Sequence, residues 1–260
     1  MIPLTEAQAK HIRELLRNAK ARRESGEFVI EGPHLLEAAL EKAPGRIRYA
    51  AFTTDANARQ LPLSACCVKL GITTYSIPAK LSARISDTEE PQGIFAVVSI
   101  PKAEKFTGNF AIALDRVQDS GNVGTIIRAA AWFGLHSLIL GESSADPYSP
   151  KTVRATQGAI FDVSMERCSA LLTRLNELQL ESWRIVATAL DPTAKPIYNF
   201  KFQKKSILVF GSEAHGVSPE ILDIADEKIA IPRFGSGESL NVAASAAVVL
   251  YELRRQKSHG

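Results

Sequence analysis

The chain of 260 residues contains few cysteines and tryptophans, three and two respectively. Cys66 and Cys67 are adjacent, and neither they nor Cys168 have metal-ligand spacing, so neither a disulfide framework nor a zinc site is expected. No apolar run reaches the roughly 18 residues of a membrane span. The first residues also lack the basic-then-apolar layout of a secretory signal. The sequence therefore predicts a metal-free protein of the reducing cytoplasm, without a membrane segment.

The net charge of only +3 is unevenly distributed along the chain. Residues 1–105 contain 15 Lys/Arg and 12 Asp/Glu, whereas residues 106–260 contain 16 of each. A basic cluster near the start attracts phosphate backbones, although a solvated helix surface explains it equally well. Its members are Lys10, Arg13, Arg17, Lys20, Arg22 and Arg23.

The hydrophobic pattern predicts two α/β modules, over residues 1–104 and 105–260, with a linker from Pro101 to Gly108. The first module has an amphipathic helix over residues 5–19 and several short strands. The second alternates strand and helix regularly, which is typical of a mostly parallel sheet. In it we predict strands at 110–115, 136–140, 184–189, 206–210 and 228–231, and helices at 122–133, 149–157, 168–180, 218–225 and 240–256.

Three segments of the second module place polar residues or glycines at a strand end, just before a helix. Open α/β sheets bind ligands at such ends, because loops and helix N-termini converge there. Three such segments in order predict one composite site. They are Asn122-Val-Gly-Thr-Ile-Ile-Arg128, Gly211-Ser-Glu-Ala-His-Gly216 and Ile231-Pro-Arg-Phe-Gly-Ser-Gly-Glu-Ser-Leu-Asn241.

Each segment also has a plainer interpretation. Asn122 could cap a helix and Arg128 could lie on its surface, although the apolar run around Arg128 indicates a buried guanidinium with an anionic partner. His215 is more often structural than catalytic in such a loop. The glycines at 235 and 237 fit neither a dinucleotide fingerprint nor a P-loop. A capped glycine loop explains each feature, but not their combination.

Together the three segments resemble the signature motifs of the SpoU/TrmH family, RNA 2'-O-ribose methyltransferases of the SPOUT superfamily that use S-adenosylmethionine. The matching patterns are Asn122-x-Gly124-x-x-x-Arg128, Gly211-x-Glu213-x-x-Gly216 and Ile231-Pro232-x-x-Gly235-x-x-x-Ser239-Leu240-Asn241. The stretch 147–159 resembles a recurring family segment, and residues 20–32 resemble the small substrate-binding domain of many members. Arg233 departs from the pattern, since methionine usually follows the proline.

The resemblance implies an α/β fold, namely a trefoil-knotted SPOUT domain with a mostly parallel sheet and a small N-terminal RNA-binding domain of ribosomal-protein-like fold. It also implies a homodimer. S-adenosylmethionine would be bound by four residues, and five others would act in catalysis or substrate positioning. The first set is Thr188, Gly211, Ile231 and Leu240; the second is Arg128, Asn122, Glu213, Ser239 and Asn241.

The resemblance further implies RNA as the substrate, with ribosomal RNA favoured over transfer RNA. The expected RNA contacts are Lys20, Arg22, Arg23 and Arg154. The alternatives left open are a transfer RNA 2'-O-methyltransferase and a non-catalytic RNA-binding or ribosome-assembly protein of the same fold. A nicotinamide-dependent oxidoreductase is disfavoured by the missing glycine fingerprint.

Overall fold

The computed structural model describes residues 1–54, 60–102, 106 and 108–257. It contains two compact units, Met1–Lys102 with Asp146–Phe161, and Ala103–Ala145 with Asp162–Gly260. The segment Asp146–Phe161 falls within the predicted second module but packs in the first unit. Part of the predicted linker lies outside the described residues.

The described strands and helices alternate along most of the chain. The strands are β1 (Ile2–Pro3), β2 (Glu27–Glu31), β3 (Ile47–Thr53), β4 (Thr74–Ile77), β5 (Ile94–Ser99), β6 (Phe110–Asp115), β7 (Ser137–Gly141), β8 (Ser164–Cys168), β9 (Arg184–Thr188), β10 (Lys195–Pro196), β11 (Ser206–Gly211) and β12 (Glu227–Ala230). The helices are α1 (Glu6–Arg17), α2 (Ala19–Ser25), α3 (Pro33–Lys42), α4 (Gln60–Lys69), α5 (Ala79–Ile85), α6 (Ser120–Trp132), α7 (Pro150–Thr156), α8 (Leu171–Leu180), α9 (Pro219–Ile224) and α10 (Val242–Lys257).

The first unit is built on a mixed five-stranded sheet of order β1-β4-β3-β5-β2. The predicted helix over residues 5–19 is present but ends at Arg17. It breaks there because the Asn18 side chain accepts hydrogen bonds from Lys20 N and Ala21 N and so caps α2. The apolar face of α1 is buried, including Ile12 and Leu15.

Arg22 lies inside this unit rather than on its surface, with only 4% of its surface exposed. Its Nε and Nη2 donate to Asp146 Oδ2 at 2.8 and 2.6 Å, and its Nη1 donates to the carbonyl oxygens of Leu15 and Leu16. This geometry corrects the expected RNA contact at Arg22. The guanidinium instead fastens the segment that begins at Asp146 to the end of α1.

Glu31, at the end of β2, is a second buried polar residue of the first unit. Ser86 Oγ and Thr88 Oγ1 donate to its Oε1 at 2.6 and 3.3 Å, while its buried Oε2 has no hydrogen-bond partner among the described residues. Burial raises the pKa of Glu31 above its ordinary value of 4.5, against the lowering effect of these hydrogen bonds.

Glu31→Gln is therefore expected to raise the free energy of unfolding at neutral pH. An acid with a raised pKa stabilises the fold fully below its unfolded pKa, near 4.5, and this contribution is lost as pH rises through the folded pKa. Glutamine cannot ionise, so the gain should shrink as pH falls through the folded pKa of Glu31 and disappear below about 4.5. Urea unfolding of both proteins at pH 7 and pH 4 measures it. A variant less stable than wild type at pH 7 would contradict the account.

The second unit contains a seven-stranded sheet in which every pairing is parallel, in the order β10-β12-β9-β11-β6-β7-β8. This confirms the predicted mostly parallel sheet. β8 is absent from the predicted strands because its sequence, Ser-Met-Glu-Arg-Cys, buries only Met165 fully and lies at the sheet edge. None of the described helices is long and apolar enough to cross a membrane.

The strand order reverses direction at β6. β7 and β8 follow on one side of it, whereas β11, β9 and β12 lie on the other. Ligands bind where an open parallel sheet reverses in this way, outside the carboxyl ends of the strands. Because every pairing is parallel, the carboxyl ends of β6, β11, β9 and β12 lie along one edge of the sheet, which is the expected ligand-binding edge.

Two helices of this unit, α6 and α10, run side by side in the same direction. Their starts are joined by a hydrogen bond from Asn241 to Asn122, and near their ends the Arg254 guanidinium donates to the carbonyl oxygens of Phe133 and Gly134. Gly134 has φ of +65°, as expected of a glycine that ends a helix. Hydrogen bonds at both ends thus hold α6 and α10 together beside the ligand-binding edge.

Candidate functional site

The three signature segments meet in a single hydrogen-bonded chain of side chains. Asn241 Nδ2 donates to Asn122 Oδ1 at 3.0 Å, and Asn122 Nδ2 donates to Glu213 Oε1. Each of the three residues comes from a different segment. The predicted composite site is therefore present as one cluster.

The helix starts fix two members of this chain. Asn241 Oδ1 accepts from Ala243 N and Ala244 N at 2.9 and 3.2 Å, so the same side chain caps α10 and orients Asn122. Asn122 does not cap α6. Asp119 does so, accepting from Asn122 N at 2.8 Å. The side chain of Asn122 is thus left available to bridge Asn241 and Glu213.

A cavity of about 1020 Å³ opens at the carboxyl ends of β9, β11 and β12. All four residues predicted to bind the cofactor line it, together with Glu213 and Ser239 from the predicted catalytic set. The cofactor residues are Thr188, Gly211, Ile231 and Leu240. The four residues that the resemblance implied for the cofactor therefore lie in the wall of one cavity.

Gly211 occupies a position where no side chain fits. A Cβ there would overlap the backbone of Gly216 and Val217, because the chain folds back through a bridge between Ser212 and Gly216. Nearby, Thr188 Oγ1 donates to the Val209 carbonyl at 3.0 Å, which ties the ends of two neighbouring strands together. Backbone groups therefore form much of the cavity wall here.

The loop from Pro232 to Leu240 forms another wall of the cavity. Arg233 Nη1 donates to the Gly237 carbonyl at 3.2 Å, so the residue that replaces the usual methionine braces this loop from within. The adjacent Phe234 is 95% exposed. Arg233 thus holds this loop through one hydrogen bond, and Ile231 and Leu240 both line the cavity.

Arg128 lies on the exposed side of α6 and does not line the cavity. Within the described part of the chain it has no hydrogen-bond or ion-pair partner. Of the two positions considered for Arg128, the helix surface is the one observed, and burial beside an anionic group is wrong. Exposed residues three before and four after it, Thr125 and Trp132, show that one whole face of α6 points outward.

The other predicted RNA contacts lie in the first unit. Lys20 and Arg23 are exposed, with Lys20 3.7 Å from Glu24. Arg154, on α7, is half-buried and its Nη2 lies 3.4 Å from Asp87 Oδ2. Among the described residues, Arg23 has no carboxylate partner, whereas Lys20 and Arg154 each lie within ion-pair distance of one.

Several residues of the site lie outside the predicted sets. Asp191 and Pro192 line the cavity after β9, and their place beyond the strand end at Thr188 could have indicated them. Asp119 organises the start of α6, and only a capping analysis would find it. His215 lines the cavity in the exposed 211–216 loop. Among the described residues, no group of His, Cys, Asp or Glu could hold a metal ion.

Two family models match the chain in separate places. Residues 109–251 match the SpoU rRNA Methylase family, and residues 6–96 match the MRM3-like substrate binding domain. The chain belongs to the SpoU rRNA methylase family. The predicted family and its enzyme class, RNA 2'-O-methyltransferase, are confirmed.

Relatives of this SpoU protein match nearly its whole length. The 23S rRNA (guanosine(2553)-2'-O)-methyltransferase RlmP of Bacillus subtilis is 34% identical, covering 92% of this chain and 93% of the relative. The SpoU methyltransferase AviRb of Streptomyces viridochromogenes, solved with S-adenosylmethionine, has a TM-score of 0.83 at 26% identity over 98% of this chain and all of that one. The tRNA (guanosine(18)-2'-O)-methyltransferase of Aquifex aeolicus is 34% identical over 59% of this chain and 72% of its own length.

Proposed function

We propose that this protein transfers a methyl group from S-adenosylmethionine to a ribose 2'-hydroxyl of ribosomal RNA. The observation that carries the proposal is the meeting of the three signature segments, through Asn122, Glu213 and Asn241, beside one cavity. Neither a scaffold nor a plain RNA-binding surface requires such a cluster at a ligand-binding edge.

The cavity fits the proposed cofactor. Its volume of about 1020 Å³ is at the upper end of small-molecule sites, and its wall combines apolar side chains with the glycine-containing loop over residues 211–216. Thr188, Gly211, Ile231 and Leu240 would hold the cofactor. When bound, S-adenosylmethionine supplies a sulfonium methyl group with a good leaving group.

The chain's own residues then align a weakly acidic hydroxyl and stabilise the charge that develops on its oxygen. A guanidinium stays protonated, so Arg128 serves as a clamp on an RNA phosphate and on the developing alkoxide rather than as a base. Glu213, oriented by Asn122 Nδ2, and Ser239 position the ribose at the cavity mouth. Water or an RNA phosphate accepts the proton.

Binding of the cofactor is tested by thermal unfolding. S-adenosylmethionine at about 100 times its dissociation constant stabilises by about 2.7 kcal/mol, which raises Tm by roughly 5–10 °C for a chain of this size. NAD should give no shift. Gly211→Ala is expected to abolish the shift, because its Cβ displaces the loop that forms the wall. An equal shift in that variant would contradict the assigned cavity.

The outward face of α6 and α10 supports the proposed homodimer. Trp132 on α6 is 83% exposed, and Val248 and Tyr251 on α10 are also exposed. Large apolar side chains grouped on one face mark a protein interaction surface. Because Arg128 lies on this face and not in the cavity of its own chain, we propose that it serves the partner subunit's site.

We also propose the trefoil knot and the cytoplasmic location that the resemblance and the composition imply. The position of β11 between β6 and β9, both earlier in the chain, is compatible with the knot that the resemblance implies. The three free cysteines suit a reducing compartment.

The coverage of the relatives favours ribosomal over transfer RNA. The ribosomal RNA methyltransferase RlmP matches 92% of this chain, whereas the tRNA methyltransferase from Aquifex aeolicus matches 59%. Primer extension on ribosomal RNA from cells with and without this gene tests the choice, since a 2'-O-methylribose halts the polymerase at low nucleotide concentration. A stop confined to transfer RNA would reverse it.

A further inference from the structure

A second, smaller cavity of about 250 Å³ lies in the catalytic unit, at the opposite edge of the seven-stranded sheet. The first residues of four strands form part of it, whereas the cofactor cavity lies at the carboxyl ends of three of these strands, β9, β11 and β12. Strands of four to six residues separate the two edges by roughly 15–20 Å. The lining residues are Arg184, Lys195, Ser206 and Glu227 from the strand starts, with Asn199, Phe200, Lys201 and Gln203.

The charges of this cavity do not cancel. Glu227 is its one carboxylate, and Lys195 Nζ and Arg184 Nη2 approach it to 2.7 and 3.6 Å. Lys201, also in the cavity wall, and Lys204, just beyond it, are both exposed. Neither has an ion-pair or hydrogen-bond partner within the described ranges. Three cations against one anion leave the cavity with a formal charge of +2.

The sequence segment around this cavity is also positively charged. Residues 192–205 contain four lysines and no acidic residue, within a half of the chain whose net charge is zero. Tyr198, 60% exposed, lies in the same segment, and Asn199 and Gln203 add amide donors to the cavity. Lysines, amides and an exposed aromatic ring are the groups that contact phosphate, sugar and base in RNA complexes.

We infer that this cavity and the flanking lysines bind backbone phosphate of the RNA substrate, as an anchor separate from the catalytic edge. The inference rests on the proposed function for its ligand. The volume of this cavity is below roughly 300 Å³, the lower limit for most small-molecule sites. The cavity therefore suits one phosphate rather than a free nucleotide cofactor. Lys204 adds a positive charge just outside the cavity. The proposed site therefore contacts more than one phosphate along the RNA backbone.

The test compares two double variants, Lys201→Glu/Lys204→Glu and the charge-conserving Lys201→Arg/Lys204→Arg. Retention of labelled ribosomal RNA on filters is measured against KCl concentration. The glutamate variant is expected to bind about 10-fold more weakly near physiological salt and to lose roughly one to two units from the slope of log affinity against log salt. The arginine variant should behave like wild type.

Methyl transfer by the same proteins separates this inference from the proposed function. The glutamate variant should raise KM for RNA with kcat and the thermal shift by S-adenosylmethionine unchanged. Unaltered RNA affinity and slope in the glutamate variant would overturn the anchor, and wild-type methyl transfer alongside would leave the proposed function standing. Equal losses in the arginine variant, or a lost cofactor shift, would also overturn it, since either would indicate damage to the fold instead of lost charge.

Discussion

Arg128→Ala is expected to lower kcat for methyl transfer by about 10²–10³-fold while leaving the affinity for S-adenosylmethionine unchanged. The guanidinium is exposed on α6 and lines no part of its own chain's cavity, so its removal does not disturb the cofactor wall. What the variant loses is the clamp on the RNA and on the developing alkoxide. Single-turnover methyl transfer with saturating RNA measures the step, and thermal shift measures cofactor binding.

Arg128→Lys provides the matched control, since it keeps the charge but loses the planar fork. An intermediate rate is expected for it. Unchanged turnover in Arg128→Ala would remove Arg128 from the mechanism.

The proposed exchange of Arg128 between subunits has its own test. Arg128→Ala and Gly211→Ala are each expected to be inactive as pure dimers. Dimers that contain one subunit of each kind would have one complete site if Arg128 acts across the interface, so mixing the unfolded chains and refolding them together should restore part of the activity. Mixtures no more active than the separate variants would place Arg128 in the site of its own subunit.

Arg22→Met is expected to lower the free energy of unfolding of the first unit by about 3–5 kcal/mol. The guanidinium and its partner Asp146 are both largely buried, with side-chain exposures of 5% and 15%. Removing the cation takes the charged partner away from the largely buried Asp146 carboxylate. It also removes the guanidinium donor from the carbonyl oxygens of Leu15 and Leu16. Urea unfolding followed by a probe in the first unit measures the loss.

The double variant Arg22→Met/Asp146→Asn separates charge burial from packing. It should recover part of the lost stability, because no unpaired charge remains. In both variants the thermal shift of the second unit by S-adenosylmethionine should persist. A change below about 1 kcal/mol in Arg22→Met would mean that the contact behaves as an ordinary surface ion pair.

The ligand-binding edge was predictable from sequence because its determinants are local. Apolar runs such as Ile207 to Phe210 mark buried parallel strands, and the residues that follow them occupy the carboxyl edge. That rule predicted a composite site at this edge, and the resemblance supplied Thr188, Gly211 and Ile231, which all line the cavity. The strand β6 was predicted with the bounds that the structure has, for the same reason.

Contacts between distant parts of the chain were not predictable. Arg22 belongs to a basic cluster by composition, and its partner lies 124 residues away. Ser218 precedes Pro219 as a capping serine should, but its side chain makes no cap bond, and its backbone N–H donates to Asp115, 103 residues earlier. Such partners depend on how the strands assemble into a sheet, and a local sequence pattern does not predict that assembly.

For Arg128, the sequence motif was recognised, but burial of the side chain, one of the two positions considered, is not what the structure shows. The apolar residues Ile126 and Ile127 are buried, but the alanines that follow are compatible with either side of a helix. The packing of α6 on α10 decides which face points outward, and that packing depends on Asn241 and Arg254, more than 100 residues away. The pattern predicted the residue, and tertiary structure decided its surroundings.

The most direct test of the central claim is transfer of labelled methyl from S-adenosylmethionine to ribosomal RNA taken from cells that lack this gene. Nuclease digestion of the product should yield one labelled 2'-O-methylnucleoside with wild-type protein and none with Arg128→Ala. Label on a base, or no label in any RNA despite a clear cofactor thermal shift, would contradict ribose methylation by this protein.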